Sequence, residues 1–306
     1  MPKPPATTNS SFLNSAPINA WLMPTHSSNP NPKYRHTRLC EDSQVWPSVS
    51  AYVEAYFRQA HSDAVERLRR LTHTSLHPAG TGSALPPPYH EYPFGLPAVT
   101  LQGYFGETLA ALLAESFSTA GHDDWEVPAH LFHNHVVAFQ QLEQQWQSGI
   151  PVTAIFGRTG DDCLAFRRDN TGRITSVLFC ESKCTRTHQS QFVADAHAKA
   201  ATSAIVDIMQ LVEALEYRSA PEAVEWASAL RVFYIELNKS PSASSVHRCD
   251  AVYYVHGRSP ARSETWVSST DPHGAYTASR SLHAVEVQLT DVLVRVRSIY
   301  HAGVWA

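Results

Sequence analysis

Two neighbouring stretches decide the fold, and the first reads Gly160-Asp161-Asp162-Cys163-Leu164-Ala165-Phe166. The second follows after a polar turn and reads Val177-Leu178-Phe179-Cys180-Glu181-Ser182-Lys183. Side chains along a strand alternate between its two faces, so Glu181 and Lys183 are predicted to share one face. A hairpin between the two stretches would bring Asp162 beside Glu181. The sequence therefore predicts two acids and a base at one end of a strand pair.

The surrounding pattern favours an α/β fold. The turn between the two strands is expected at Asp169-Asn170-Thr171-Gly172, because Asn and Gly tolerate the positive φ of tight turns. After Lys183 the apolar period changes from two to 3.6, which predicts one long amphipathic helix over 192–218. Further strands are predicted at 251–255 and 284–289, and Thr290 or Asp291 is expected to cap a last helix. Strands that alternate with helices in this way indicate an α/β sheet.

The two acids and the base have the chemistry of phosphodiester hydrolysis. Mg²⁺ prefers oxygen ligands, and Asp162, Glu181 and the backbone carbonyl of Ser182 would supply them. Lys183 would position the attacking water and favour hydroxide, because a nearby cation lowers the pKa of a group that becomes negative. Glu107, at the start of an earlier leucine-rich helix, is placed to complete the metal shell.

Each of these residues also has a structural interpretation. Glu181 and Lys183 are also compatible with an ordinary ion pair on a solvated face, and Asp161 is an adjacent alternative to Asp162. An acid in the first turn of a helix, such as Glu107, is favoured by the helix dipole alone. However, the run before Glu181 is apolar on both faces, as in a buried central strand, and charges that end such a strand need an explanation.

These motifs together resemble the PD-(D/E)xK nucleases and, among them, the HamA nuclease subunit of Hachiman antiphage defence systems. The resemblance rests on Gly106-Glu107 opening a leucine-rich helix, Asp162, Glu181-Ser182-Lys183 and a terminal strand and helix with Tyr300. It covers roughly residues 100 to 306. It implies a restriction-endonuclease-like core with a mixed central sheet flanked by helices.

The resemblance also implies an activity, a cofactor and partners. The activity is DNA cleavage by an endonuclease or nickase that uses Mg²⁺, with Mn²⁺ as the alternative ion. The implied catalytic residues are Asp162, Glu181, Lys183 and Glu107, and the implied metal ligands are Asp162, Glu181, Ser182 and Glu107. The expected partners are DNA and a helicase that restrains the nuclease until foreign or damaged DNA is sensed.

Composition divides the chain into three parts. Residues 1–46 are rich in Pro, Asn, Ser and Thr and are predicted to form a flexible or irregular arm. Residues 47–98 are expected to form a helical lead-in and a Pro-rich connector, and 99–306 the nuclease core. The apolar periodicity of the lead-in allows one broken helix or two short ones.

Composition and net charge limit the classes of protein to which the chain can belong. The 306 residues are 43% apolar, which is enough for a substantial core, and the five cysteines are scattered and odd in number, which argues against a secreted disulfide framework. No long apolar run or signal peptide is evident, so a cytoplasmic protein without a membrane segment is expected. The net charge of −4 is not that of a nucleic-acid coat protein, although basic residues between Arg158 and Lys199 permit local phosphate contact.

Three alternatives stay open. The first is a catalytically inactive nucleic-acid-binding or adaptor subunit that keeps the nuclease fold, and the second is an RNA-cutting enzyme, because the phosphodiester chemistry is shared. The third is a zinc site at His130, His133 and His135, but a chain with 17 histidines contains such clusters by coincidence, so packing is favoured. Gln189 and Gln191 are expected either to contact DNA backbone or to cap a helix.

Overall fold

The computed structural model of the chain describes residues 16–28, 31–74, 92–130, 162–205, 208–218, 220–239, 246–257 and 265–301. Within these ranges the helices are α1 (Ala16–Trp21), α2 (Trp46–Thr74), α3 (Ala98–Ser116), α4 (Ser190–Thr202), α5 (Ile208–Glu216), α6 (Pro221–Lys239) and α7 (Val292–Ile299). The strands there are β1 (Leu22–His26), β2 (Tyr34–Glu41), β3 (Cys163–Arg168), β4 (Ile174–Thr185), β5 (His247–Gly257) and β6 (Leu282–Leu289).

The strands form a six-stranded sheet in the order β1-β2-β6-β5-β4-β3. The two outer pairs, β1–β2 and β3–β4, are antiparallel, whereas β4, β5, β6 and β2 run parallel. The carboxyl ends of these four parallel strands therefore meet at one edge of the sheet. Lys183 lies at this edge, near the end of β4.

Helices cover both faces of the sheet, which confirms the predicted α/β class with a mixed central sheet. Helices α1, α2, α3 and α7 pack on one face, where Leu178 and Cys180 of β4 enter a shared apolar core. Helices α4, α5 and α6 pack on the other face, where Val177 and Phe179 enter a second core. Strand β4 is therefore buried on both faces, as its unbroken apolar run predicts.

The prediction of a flexible or irregular arm over residues 1–46 is wrong from Ala16 onward. This segment contains α1, β1 and β2, and β2 pairs in parallel with β6 inside the sheet. Glu41 ties it down, because its carboxylate accepts a hydrogen bond from Trp21 Nε1 at 2.9 Å and pairs with Arg295 on α7. The composition of the segment does not indicate these strands, because β1 exposes most of its side chains at the sheet edge and therefore lacks an apolar pattern. Residues 1–15 lie outside the described part of the chain.

The predicted lead-in over 47–98 is present as one helix, because α2 runs unbroken over 29 residues. The Pro-rich run within the connector, Leu85–Tyr89, lies outside the described residues, as does a strand predicted at Ile150–Phe156. The sheet also extends beyond the core predicted at 99–306, because β1 and β2 precede that boundary.

The single long helix predicted over 192–218 is wrong, because the segment forms α4 and α5. Helix α4 ends at Ser203, whose backbone is extended at φ −67° and ψ 137°. Two arginines from distant parts of the chain bind its last carbonyls. Arg248 on β5 donates to the Ser203 oxygen at 2.9 Å, and Arg280 donates to the Ala200 oxygen at 2.9 Å. Tertiary contacts therefore set this helix end.

The predicted hairpin turn and terminal cap are confirmed. Asp169 Oδ1 accepts the backbone N–H of Thr171 at 2.9 Å, and Gly172 adopts φ +82°. Of the two predicted caps, Asp291 caps α7, because its carboxylate accepts the backbone N–H of Leu293 at 2.9 Å.

Helix α3 packs closely against β4 at Gly106. A Cβ atom at this position would lie 2.8 Å from Cys184 Cβ and 3.0 Å from Ser182 Oγ. These separations are shorter than packed side chains tolerate, so only glycine fits without movement of the strand or the helix. The contact holds α3 against the end of β4 that carries Ser182.

We predict that Gly106→Ala lowers the free energy of unfolding by about 1–3 kcal/mol, the usual cost of overpacking a core. This loss is expected even though alanine favours helix over glycine by roughly 1 kcal/mol. Urea unfolding followed by circular dichroism measures it. Gly274→Ala is the matched control, since a Cβ there meets nothing within 4 Å. Equal stability of Gly106→Ala and wild type would contradict the close approach.

Candidate active site

The pairing of β3 with β4 brings Asp162 and Glu181 together. Cys163 is the register partner of Cys180, so the residue before Cys163 meets the residue after Cys180. The Ser182 backbone N–H donates to Asp162 Oδ2 at 2.8 Å, which fixes the Asp162 carboxylate against β4. Asp161, the alternative acid, lies outside the described residues.

Lys183 joins this pair from the same face of β4. Its ammonium group binds Glu181 Oε1, as the two-residue period of the strand predicts. The Glu181 side chain has no exposed surface, whereas 18% of the Lys183 side chain is exposed. The acid is therefore held inside the protein, and the base reaches the solvent side of the site.

A second base, Lys199, comes from α4 and bridges both acids. Its Nζ lies 2.6 Å from Glu181 Oε2 and 3.1 Å from Asp162 Oδ1. Sequence reasoning missed this role, because the helix predicted over 192–218 would place Lys199 in its interior, whereas Lys199 lies in the last turn of α4. The only local clue is the flanking pair of small residues, Ala196 and Ala200, which are both fully buried and let α4 approach the sheet closely.

Burial and the neighbouring charges shift the pKa values of Glu181 and Lys199. Burial, together with the Asp162 charge, raises the pKa of Glu181 to about 7, although Lys183 and Lys199 oppose this shift. Burial acts to lower the pKa of Lys199, but Asp162 and Glu181 outweigh it, so that pKa is raised. Titratable groups with such perturbed ionisation cluster at functional sites.

The other two predicted metal ligands are the Ser182 carbonyl and Glu107. In an extended strand the N–H and C=O of one residue point to the same edge, so the Ser182 carbonyl faces the Asp162 side. Glu107 is buried on α3, next to the Gly106 contact with Ser182. No group of three or more His, Cys, Asp or Glu side chains in the described ranges is arranged to hold a metal. Asp162 and Glu181 therefore meet without Glu107 as a third member.

Polar residues continue along the same edge of the sheet. Lys183 is the register partner of Tyr254 on β5, which in turn is the partner of Glu286 on β6. The Tyr254 hydroxyl lies 2.9 Å from His188 Nδ1, and the His188 ring stacks on Trp266 at a centroid distance of 3.7 Å. The buried Glu286 carboxylate accepts the Trp266 backbone N–H at 2.9 Å. The loop that carries Trp266 is thereby anchored beside the site.

The basic residues of the hairpin are largely committed to ion pairs. The pairs are Arg167–Asp124, Arg168–Glu126 and Arg173–Glu236. Arg186, just after β4, is exposed. Contact of this segment with phosphate therefore stays a prediction.

The remaining candidates lie in ordinary packing. His130 is buried, and burial together with Arg218 lowers its pKa to about 3, while His133 and His135 lie outside the described residues. Cys180 is fully buried in the apolar core.

The two glutamines after β4 make contacts within the protein. Gln189 Nε2 donates to Thr185 Oγ1 at 3.3 Å, and Gln191 Nε2 donates to Asp195 Oδ1 at 2.7 Å. A contact of either side chain with DNA backbone stays a prediction.

Comparison of the chain with protein-family models and with curated proteins finds no match. No helix in the described ranges is long and apolar enough to cross a membrane.

We predict that Glu286→Ala lowers the free energy of unfolding by about 3–5 kcal/mol, because each buried donor left without its acceptor costs roughly 1–3 kcal/mol. The carboxylate also lies 2.9 Å from His256 Nε2 and accepts from Gln288 Nε2 at 2.8 Å, so several buried donors would lose their acceptor. Thermal and urea unfolding measure the loss. Glu225→Ala, on the exposed side of α6, is the control and is expected to be neutral; a similar small change in both variants would contradict the anchoring role.

Proposed function

We propose that the chain is a metal-dependent nuclease that hydrolyses phosphodiester bonds in DNA. The observation that carries the proposal is the meeting of two buried carboxylates, Asp162 and Glu181, with two lysines at the carboxyl edge of the parallel strands. Such edges are where open α/β sheets commonly bind ligands.

The donor set fits a hard divalent cation. Asp162 is 3% exposed and Glu181 is fully buried, and one positive group, the Lys199 ammonium, already touches an oxygen of each. The Ser182 carbonyl, directed to the same side, would add a neutral oxygen. Mg²⁺ keeps several waters when proteins bind it, so these ligands suffice, and Mn²⁺ accepts the same oxygen donors. When bound, the ion would neutralise phosphate charge and supply an activated water.

The other roles in the proposed reaction are assigned to residues of the chain. The Ser182 N–H orients Asp162, and the lysines hold Glu181 in place before a ligand arrives. The partly exposed Lys183 ammonium presents a positive charge where a phosphate would approach, which favours hydroxide over water at that position. Glu107 would join the ligand set only after a rearrangement, because the described residues show no three-ligand group.

We extend the proposal to a restriction-endonuclease-like core and to antiphage defence of the Hachiman type, with a helicase as restraining partner and the cytoplasm as location. The sequence resemblance supports this extension, and so does the order of elements, in which the antiparallel hairpin β3–β4 is followed by α4 and the parallel strand β5. The alternatives are an inactive nucleic-acid-binding or adaptor subunit and an enzyme that cuts RNA.

Plasmid nicking tests the activity. We expect the purified full chain, with Mg²⁺ or Mn²⁺, to convert supercoiled plasmid to nicked or linear forms, and EDTA to stop the conversion. Asp162→Asn, Glu181→Gln and Lys183→Met are each expected to lower the rate at least about 100-fold, because each removes a metal ligand or the positive charge at the reacting phosphate. Glu225→Gln, an exposed change on α6, is the matched control and should keep full activity.

The same assay separates the alternatives. Cleavage that persists in EDTA or in Glu181→Gln would contradict the proposed site. DNA binding without cleavage, in the absence of a helicase, would favour the adaptor. Cleavage of a labelled RNA strand with the matching DNA left intact would favour the RNA-cutting enzyme.

A further inference from the structure

Lys199 occupies the space between the two acids of the site. Its Nζ contacts Glu181 Oε2 at 2.6 Å and Asp162 Oδ1 at 3.1 Å, so a single cationic group bridges the carboxylates of two different strands. Lys183, by comparison, binds Glu181. The bridging position is the one that a divalent ion shared by Asp162 and Glu181 would need.

The position of Lys199 is built into the fold. The end of α4 is held by Arg248 and Arg280, which bind the last carbonyls of the helix. The buried Ala196 and Ala200 keep the helix close to the sheet, and 25% of the Lys199 side chain remains exposed. The helix therefore positions the Lys199 ammonium group beside the carboxylates. Because the lysine side chain is flexible and partly exposed, the ammonium group can also move towards solvent.

The charges within this group of four balance. Asp162 and Glu181, when ionised, carry two negative charges, and Lys183 and Lys199 carry two positive charges. Two buried carboxylates without counter-charges would strongly disfavour ionisation, whereas the two ammonium groups favour it. A divalent ion that entered this balanced group would meet repulsion from both lysines. Its oxygen ligands would already be in contact with them, since Lys199 binds both acids and Lys183 binds Glu181.

We infer that Lys199 is an internal counter-ion that competes with the divalent ion for the oxygens of Asp162 and Glu181. The inference rests on the proposed function. Binding of the ion requires the Lys199 ammonium to leave the bridging position. The loss of the two Lys199 contacts therefore makes the binding free energy of the ion less favourable. Lys199 thereby holds the carboxylates in place in the metal-free protein and weakens loading of the site by metal alone.

Binding of Mn²⁺ to the full chain without DNA tests the competition, with free Mn²⁺ followed by electron paramagnetic resonance. Lys199→Met removes the charge and keeps the length of the side chain, and we expect its Kd for Mn²⁺ to fall on the order of tenfold, within the usual range for coupling between two ligands. Lys199→Gln should give the same direction of change. Lys199→Arg, which keeps a cation, should not bind more tightly than wild type.

Three controls make the result specific. Lys239→Met removes an exposed lysine at the end of α6 and should leave the Kd unchanged. Lys183→Met removes one charge from the site but leaves the bridge, so its gain should be smaller than that of Lys199→Met. Adding Glu181→Gln to Lys199→Met should abolish the tight binding, which places the ion at this site. Thermal unfolding checks that each variant is folded.

The outcomes are distinguishable. Unchanged or weaker Mn²⁺ binding by folded Lys199→Met and Lys199→Gln, with wild-type binding that depends on Glu181, would overturn the competition and leave the proposed function standing. An equal gain in Lys183→Met would overturn the bridging role, since loss of any nearby charge would then suffice. Absence of Mn²⁺ binding in wild type and in every variant would overturn the metal-dependent function and this inference with it.

Discussion

The direct opposition of Asp162 and Glu181 across the β3–β4 hairpin is the constraint on which the site depends. Both carboxylates are almost fully buried, and like charges in that setting resist ionisation, which is why burial and Asp162 raise the pKa of Glu181 to about 7. Lys183 and Lys199 offset this cost. Such an arrangement is weak evidence for a stabilising role, because the desolvation of the buried charges offsets their attraction.

Much of the surrounding fold serves to keep this group in place. Gly106 lets α3 approach the end of β4, and the arginines that end α4 set the position of Lys199. Glu286 anchors the loop of Trp266 beside the same sheet edge. The site is therefore assembled from the β3–β4 hairpin, helix α4 on one face of the sheet and the loop that carries Trp266, and polar contacts fix each of them.

The sequence predicts the local part of this assembly well. The period-two pattern and the turn at Asp169 to Gly172 determine the hairpin, and with it the meeting of Asp162 and Glu181. Lys199 could not be predicted, because its role depends on how α4 packs on the sheet and on where that helix ends. Strands β1 and β2 escaped prediction for a related reason. Strand β1 is mostly exposed at the sheet edge, and buried polar side chains of β2, such as Glu41, find partners in distant segments, such as Arg295.

The most direct test of the central claim is the anomalous scattering of Mn²⁺ in crystals of the full chain. The account predicts an anomalous peak within about 2.5 Å of a carboxylate oxygen of both Asp162 and Glu181, with the Lys199 ammonium moved out of the space between them. Crystals with bound Mn²⁺ elsewhere, and Lys199 still bridging the two acids, would contradict it.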